Sequence, residues 1–318
     1  MKVWHNILKT LAVVIACWCA MTLSAQAQTG SDTKSGSVLF YNIYTSNPIN
    51  PVASDTLITI TNTSPNKDID VHLYFVDGLT CRVADAFITL TRNQTASFRV
   101  SDMDPGVQGY IMAVAVDRQG VPTQHNYLIG YLRVKQMLGP GANSTHSYQL
   151  NAISFSKINN LLPALSPDGI TAQMVFDGAA TGSSYEQLPA EVAINSFESP
   201  ATADTRFIIY SPKSDFYGPS DSSGRLFIVF YDDAENPYSA SVGLVCWLQA
   251  RLTIIRNLTV RIAAGRTGWA RFLGLRDNNP IPLLGSVAQA SEFTGGHNMH
   301  HLSTFPTYTI TVPVLPPN

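Results

Sequence analysis

Asp55-Thr56-Leu57-Ile58-Thr59-Ile60 and Asp204-Thr205-Arg206-Phe207-Ile208-Ile209 are two versions of one phrase, an acid and a threonine leading into an apolar strand. Each is followed by a polar stretch and then by a second run ending in an acid. These are Val71-His72-Leu73-Tyr74-Phe75-Val76-Asp77 in the first copy and Leu226-Phe227-Ile228-Val229-Phe230-Tyr231-Asp232 in the second. The match continues through Gly78-Leu79-Thr80-Cys81 and Gly243-Leu244-Val245-Cys246, with Asp233 to Val242 read as an insertion in the second copy. Thr91-Arg92-Asn93-Gln94-Thr95 pairs with Ile255-Arg256-Asn257-Leu258-Thr259, each Arg-Asn placed at a hairpin turn. Gly109-Tyr110-Ile111-Met112-Ala113-Val114 pairs with Gly268-Trp269-Ala270-Arg271-Phe272-Leu273, and Leu128-Ile129-Gly130 with Leu283-Leu284-Gly285. Shared steps in one order predict an internal duplication.

Within a copy the strands are short and alternate with period two. Val71, Leu73 and Phe75 oppose His72 and Tyr74, while Ala96, Phe98 and Val100 oppose Ser97 and Arg99. Seven or so such strands per copy, with turn signals between them and no helical pattern, predict an all-β chain of two tandem antiparallel β-sandwich domains. Asp104-Pro105-Gly106-Val107-Gln108-Gly109-Tyr110, entering the strand from Ile111 to Val116, resembles the tyrosine corner of fibronectin type III and immunoglobulin-like domains. That resemblance implies a Tyr110 hydroxyl bonded to nearby backbone. The second copy carries Trp269 there and lacks the Pro-Gly.

The N-terminus reads as an export signal. Lys2 and Lys9 precede an apolar run from Leu11 to Leu23, and Ala25-Gln26-Ala27 supplies a small-residue cleavage site. The run is shorter than a bilayer-spanning helix needs. The expected organisation is a signal peptide at 1–27, a flexible N-terminus at 28–36, a first domain at 37–138, a linker at 139–168 and a second domain at 169–318. Val14-Ile15-Ala16-Cys17 also matches a lipoprotein box, so a lipid anchor at Cys17 is the alternative to a secreted or periplasmic chain. Removing the leader takes away two lysines and no acid, leaving the mature part more acidic than the formal −2 of the whole chain. With no dense Lys/Arg run in the sequence, nucleic acid is not an expected partner. Cys81 and Cys246, matched to each other in the repeat, are expected as buried thiols in domains too far apart to bridge.

No nucleophile elbow, zinc-helix motif, phosphate loop or dinucleotide fingerprint occurs, so no catalytic residue and no cofactor is assigned. His297, His300 and His301 have spacing suited to one metal on a turn, and Asp102 and Asp104 have spacing suited to calcium. Against these stand an ordinary polar loop and an Asx-type turn. The acidic stretch Asp232-Asp233-Ala234-Glu235-Asn236-Pro237 is a further candidate. Tyr41, Tyr44, Tyr131, Tyr217 and Tyr238 are candidates for stacking on sugars. The expectation is an exported, non-catalytic binding or structural protein that meets a protein or glycan partner at the cell surface or in the periplasm. A carbohydrate-binding module is the alternative, and a secreted hydrolase with an unmarked carboxylate pair is the third reading.

Overall fold

The computed structural model of the protein describes residues 29–47, 49–50, 52–138, 144–218, 223–254, 262–291 and 294–317. The leader with Cys17, the start of the expected linker at 139–143 and the second Arg-Asn turn at 255–259 lie outside these residues. Among the described residues there is no α-helix, and the strands form five small sheets.

The first nine strands are β1 Val38–Thr45, β2 Asp55–Asn62, β3 Ile69–Asp77, β4 Val83–Leu90, β5 Thr95–Arg99, β6 Gln108–Val116, β7 Leu128–Leu138, β8 Ser144–Asn151 and β9 Ile153–Phe155. They make one sheet in the order β4-β3-β6-β1-β9 and a second in the order β5-β2-β7-β8. Three short strands follow, β10 Ala164–Leu165, β11 Thr171–Phe176 and β12 Ser184–Tyr185. Then come β13 Pro189–Glu198, β14 Asp204–Tyr210, β15 Gly224–Asp232, β16 Pro237–Leu244, β17 Trp247–Arg251, β18 Thr267–Arg276, β19 Asn279–Ile281, β20 Leu284–Ala290, β21 Thr294–Asn298, β22 His300–Thr304 and β23 Tyr308–Pro313. The third sheet joins β10, β11 and β12 to the C-terminal β23. The fourth runs β16-β15-β18-β13-β22, with β19 on β18, and the fifth runs β17-β14-β20-β21.

The order of the first two sheets therefore reappears in the fourth and fifth. So does an irregularity: β1 slips against β6 between Tyr41 and Tyr44, and β13 slips against β18 between Ile194 and Phe197. Such a bulge places two residues against one and bends the strand. The slip ends opposite Gly109 in one case and Gly268 in the other. A Cβ on either glycine would strike the carbonyl of Val76 or Tyr231 on the adjoining strand, β3 or β15. Both positions need a residue without a side chain.

This strand order is not that of an immunoglobulin or fibronectin III sandwich. There the two last strands pair in one sheet, whereas here β6 pairs with β3 and β1 while β7 pairs with β2 in the other sheet. The expected tyrosine corner is replaced as well. The Tyr110 hydroxyl accepts from the backbone N–H of Lys213, far along the chain, and its ring stacks on Tyr210. The residues read as an insertion are strand β16, paired to β15 as β4 is to β3. Residues 144–155 of the expected linker are β8 and β9 of the first two sheets. The segment expected to be a flexible N-terminus is bridged at Ser31 to Ser154 and at Gly36 to Leu128.

Burial explains why β1 and β6 read as nearly continuous apolar runs while β15 and β18 alternate. The first sheet is buried on both faces; only one face of the fourth is. The fifth sheet lies between. Phe207, Ile209 and Val287 point into a core with the fourth sheet, whereas Ile208, Tyr210, Leu284 and Ala288 join the core of the first. At that junction Asn42 is a polar hub. Its amide donates to the Gly285 carbonyl and the Asn298 side chain, its side-chain oxygen accepts from the Tyr210 hydroxyl, and its backbone carbonyl accepts from the Trp247 indole.

Cys81 and Cys246 are joined in a disulfide, with Cα atoms 5.7 Å apart, which corrects the expectation of two free thiols. They do not hold equivalent places. Cys81 follows the β3–β4 turn and Cys246 sits between β16 and β17, so two unlike turns meet.

Candidate binding surface

The sequence candidates disperse. His297 lies on β21 opposite Val287, and His301 lies on β22 opposite Val192. Among the described residues no three His, Cys, Asp or Glu side chains converge as a metal set would. His300 and His301 line a hollow of about 270 Å³ with Asp32 and Asn298. Burial holds His301 down to about 4, against a smaller upward pull from Asp32, and lowers His297 also. His125, whose Nε2 meets the Asn62 side-chain oxygen, is likewise held at about 4 by burial. Imidazoles that stay neutral when folded but titrate near 6.5 when unfolded favour the unfolded chain in acid. Their contribution is complete above about pH 6.5 and is lost as pH falls toward 4. We expect the urea midpoint to drop across that window by on the order of 2 kcal/mol of stability, and the drop to shrink in the double variant His125→Gln, His301→Gln. An unchanged slope in that variant would assign the acid sensitivity to carboxylates.

The acidic candidates are occupied. Asp104 accepts from the Tyr44 hydroxyl and is raised by its burial, while Asp102 lies in the 3-10 turn Val100–Asp102. Asp232 caps the backbone N–H groups of Ala234 and Asn236 and accepts from the Asn236 amide and the Tyr238 hydroxyl; Asp233 pairs with Arg266. Of the tyrosines, Tyr41 and Tyr44 are fully buried, Tyr217 is exposed, and Tyr131 stands half-buried on an open sheet face.

That face is the outer side of the second sheet, and it carries what the sequence did not single out. From β7 come Ile129, Tyr131, Arg133 and Lys135; opposite them on β2 stand Thr61, Thr59, Leu57 and Asp55; beyond, on β5, stand Thr95, Ser97 and Arg99. Hydroxyl pairs bind β2 to β5 across this face, Thr59 with Ser97 and Thr61 with Thr95. At one end a hollow of about 510 Å³ is lined by Tyr131, Thr61, Asn151 and Lys34. At the other, Arg99, Arg133 and Lys135 line a hollow of about 300 Å³ with Asp55, Leu57 and Ser147. None of these three cations makes an ion pair or side-chain hydrogen bond among the described residues. They lie on strands far apart in sequence, so no basic run marks them. The legible signal was parity: Arg99 shares the outward face with Ser97, and Arg133 and Lys135 are spaced by two.

A second open face belongs to the fourth sheet. Tyr231 and Trp269 stack there with centroids 4.3 Å apart, beside Phe227 and the Glu191–Arg271 ion pair. The class these features define is an all-β protein with open sheet faces.

No protein-family model matches the chain, and no curated protein matches it. Three solved structures are distantly similar to it. Thermotoga maritima 1070 is 14% identical, over 38% of this chain and 95% of its own, with a TM-score of 0.29. The major pilin of Streptococcus pyogenes is 10% identical over 87% and 98%, with a TM-score of 0.19. A lectin from Pleurotus ostreatus is 8% identical over 89% and 87%, with a TM-score of 0.18. Scores this low carry no argument about function. Among the described residues no helix is long and apolar enough to cross a membrane.

Proposed function

We propose that the chain is an exported, non-catalytic binding protein of the cell exterior, built from two copies of one nine-strand module. The repeated strand order and the repeated bulge support the duplication. The observation that carries the functional reading is the Cys81–Cys246 bridge. Disulfides persist in oxidising compartments, and this one locks two modules into a single rigid support for the open faces. The described hollows each carry a single carboxylate, Asp32, Asp55 or Asp277, where glycoside hydrolysis uses two.

Intact mass of the protein recovered from its own cells tests this. We expect a chain beginning at Gln28, with no thiol alkylated before reduction and two alkylated after. A mass beginning at Cys17 plus acyl chains would place the same protein on a membrane by its lipid. Two thiols alkylated without reduction, on a chain retaining its leader, would overturn export. A second reading, carbohydrate binding, is favoured by one observation: the hydroxyl pairs and Tyr131 on the outer face of the second sheet.

A further inference from the structure

The two modules treat the same positions in opposite ways. In the second, Asp204 at the start of β14 pairs with both Arg206 and Arg251, at 3.0 and 3.2 Å, so each guanidinium has a carboxylate partner. The matching register positions in the first module are Asp55, Leu57 and Arg99. There the acid turns away: Asp55 accepts from the backbone N–H of Thr56 and from both the backbone N–H and the hydroxyl of Ser101. Arg99 is left without a carboxylate. The positions that are Ala288 and Ala290 on β20 are Arg133 and Lys135 on β7. Three like charges thus converge on one hollow with a single acid at its rim, already committed to three donors. Like charges gathered on one face repel each other, so the fold itself gains nothing from this grouping.

Resting on the reading of an exterior binding protein, we propose that this face binds an acidic polysaccharide through its carboxylate, sulfate or phosphate groups. The chain of sugars lies along β7, from the hollow at Tyr131 to the cations at Arg133, Lys135 and Arg99. From Ile129 to Lys135 the track spans roughly 20 Å at the rise of a β-strand, with cations about 7 to 10 Å apart. Such spacing suits charges carried on sugar rings. Thr61, Ser97, Ser147, Gln149 and Asn151 supply uncharged polar groups along the same face, and Tyr131 supplies an apolar surface for a ring. A nucleic-acid groove would combine denser cations with several aromatic platforms.

The mature, oxidised protein is titrated with oligogalacturonate, dextran sulfate, neutral dextran, single-stranded oligothymidylate and inorganic phosphate at low and physiological salt. We expect binding to one or both acidic glycans, weakened by salt, and none to neutral dextran. Dextran sulfate alone would identify ester anions as the recognised group, and oligogalacturonate alone would identify carboxylates. Arg133→Ser combined with Lys135→Ser should reduce affinity at least about tenfold, and Arg99→Ser by several-fold. Since none of the three side chains is buried and their charges repel, the unfolding midpoint should not fall. Tyr131→Ala should weaken glycan binding while leaving any phosphate binding unchanged. Equal binding by the Arg133→Ser, Lys135→Ser variant would overturn the proposal. Equal binding of neutral dextran would also overturn it, as would oligothymidylate binding as tightly as either glycan. If no probe binds a protein that is exported and carries its disulfide, the glycan inference falls and the exterior reading stands.

Discussion

Replacing Cys81 and Cys246 by serine together lowers the unfolding free energy by about 4 to 5 kcal/mol, the largest effect we expect from any pair of substitutions. The bridge ties residues 165 apart, and closing so long a loop removes a correspondingly large conformational freedom from the unfolded chain. Both sulfurs are buried, at 4% and 8% exposure, so solvation of the thiols adds little in the folded state. Urea unfolding of the mature chain with and without reductant measures the effect. An unmoved midpoint would mean that packing alone holds the modules together.

Asn42→Ala should cost about 3 kcal/mol, out of proportion to the few atoms removed. The substitution strips the Tyr210 hydroxyl of its acceptor and takes one of two donors from the Gly285 carbonyl, which keeps the Met299 N–H. The Tyr210 hydroxyl sits where water does not reach, and a buried polar group left unpaired costs about 1 to 3 kcal/mol. Asn42→Asp keeps the shape but puts a carboxylate against the Gly285 carbonyl, and should be worse above neutral pH. The check is the urea midpoint of each variant against Thr61→Ala, a control that removes an exposed hydroxyl pair. A cost below 1 kcal/mol for Asn42→Ala would show that the hub is replaced by water.

Asp55 and Asp204 were matched in the sequence, and they hold the same register position, as do Asp77 and Asp232, Gly109 and Gly268, and Gly130 and Gly285. Those pairs were legible because each sits at a strand start, a strand end or a point where no Cβ fits. The cysteines misled for a physical reason. A Gly-Leu-x-Cys phrase satisfies many turns, and the strands here are so short that skipping β16 still left a plausible alignment. Once β16 was taken for an insertion, the bridge looked geometrically impossible. The all-β class followed from alternation alone, but the assignment of strands to sheets depends on pairings between residues distant in sequence, which alternation does not encode. The cationic hollow was hidden in the same way, because Arg99 and Arg133 meet only after β2 comes between their strands.

The junction between modules joins unlike faces: the fifth sheet's Ile208, Tyr210, Leu284 and Ala288 rest against the first sheet. A head-to-tail contact of this kind has no built-in end, and subunits that stack by it grow into fibres unless something stops them. In this chain the stop is written on the second sheet, where the same four positions are Thr59, Thr61, Ile129 and Arg133. The Thr61 hydroxyl and the Arg133 guanidinium would have to be stripped of water before a further module could settle there. The face proposed to bind a glycan is, by the same chemistry, a poor surface for a further module to stack on.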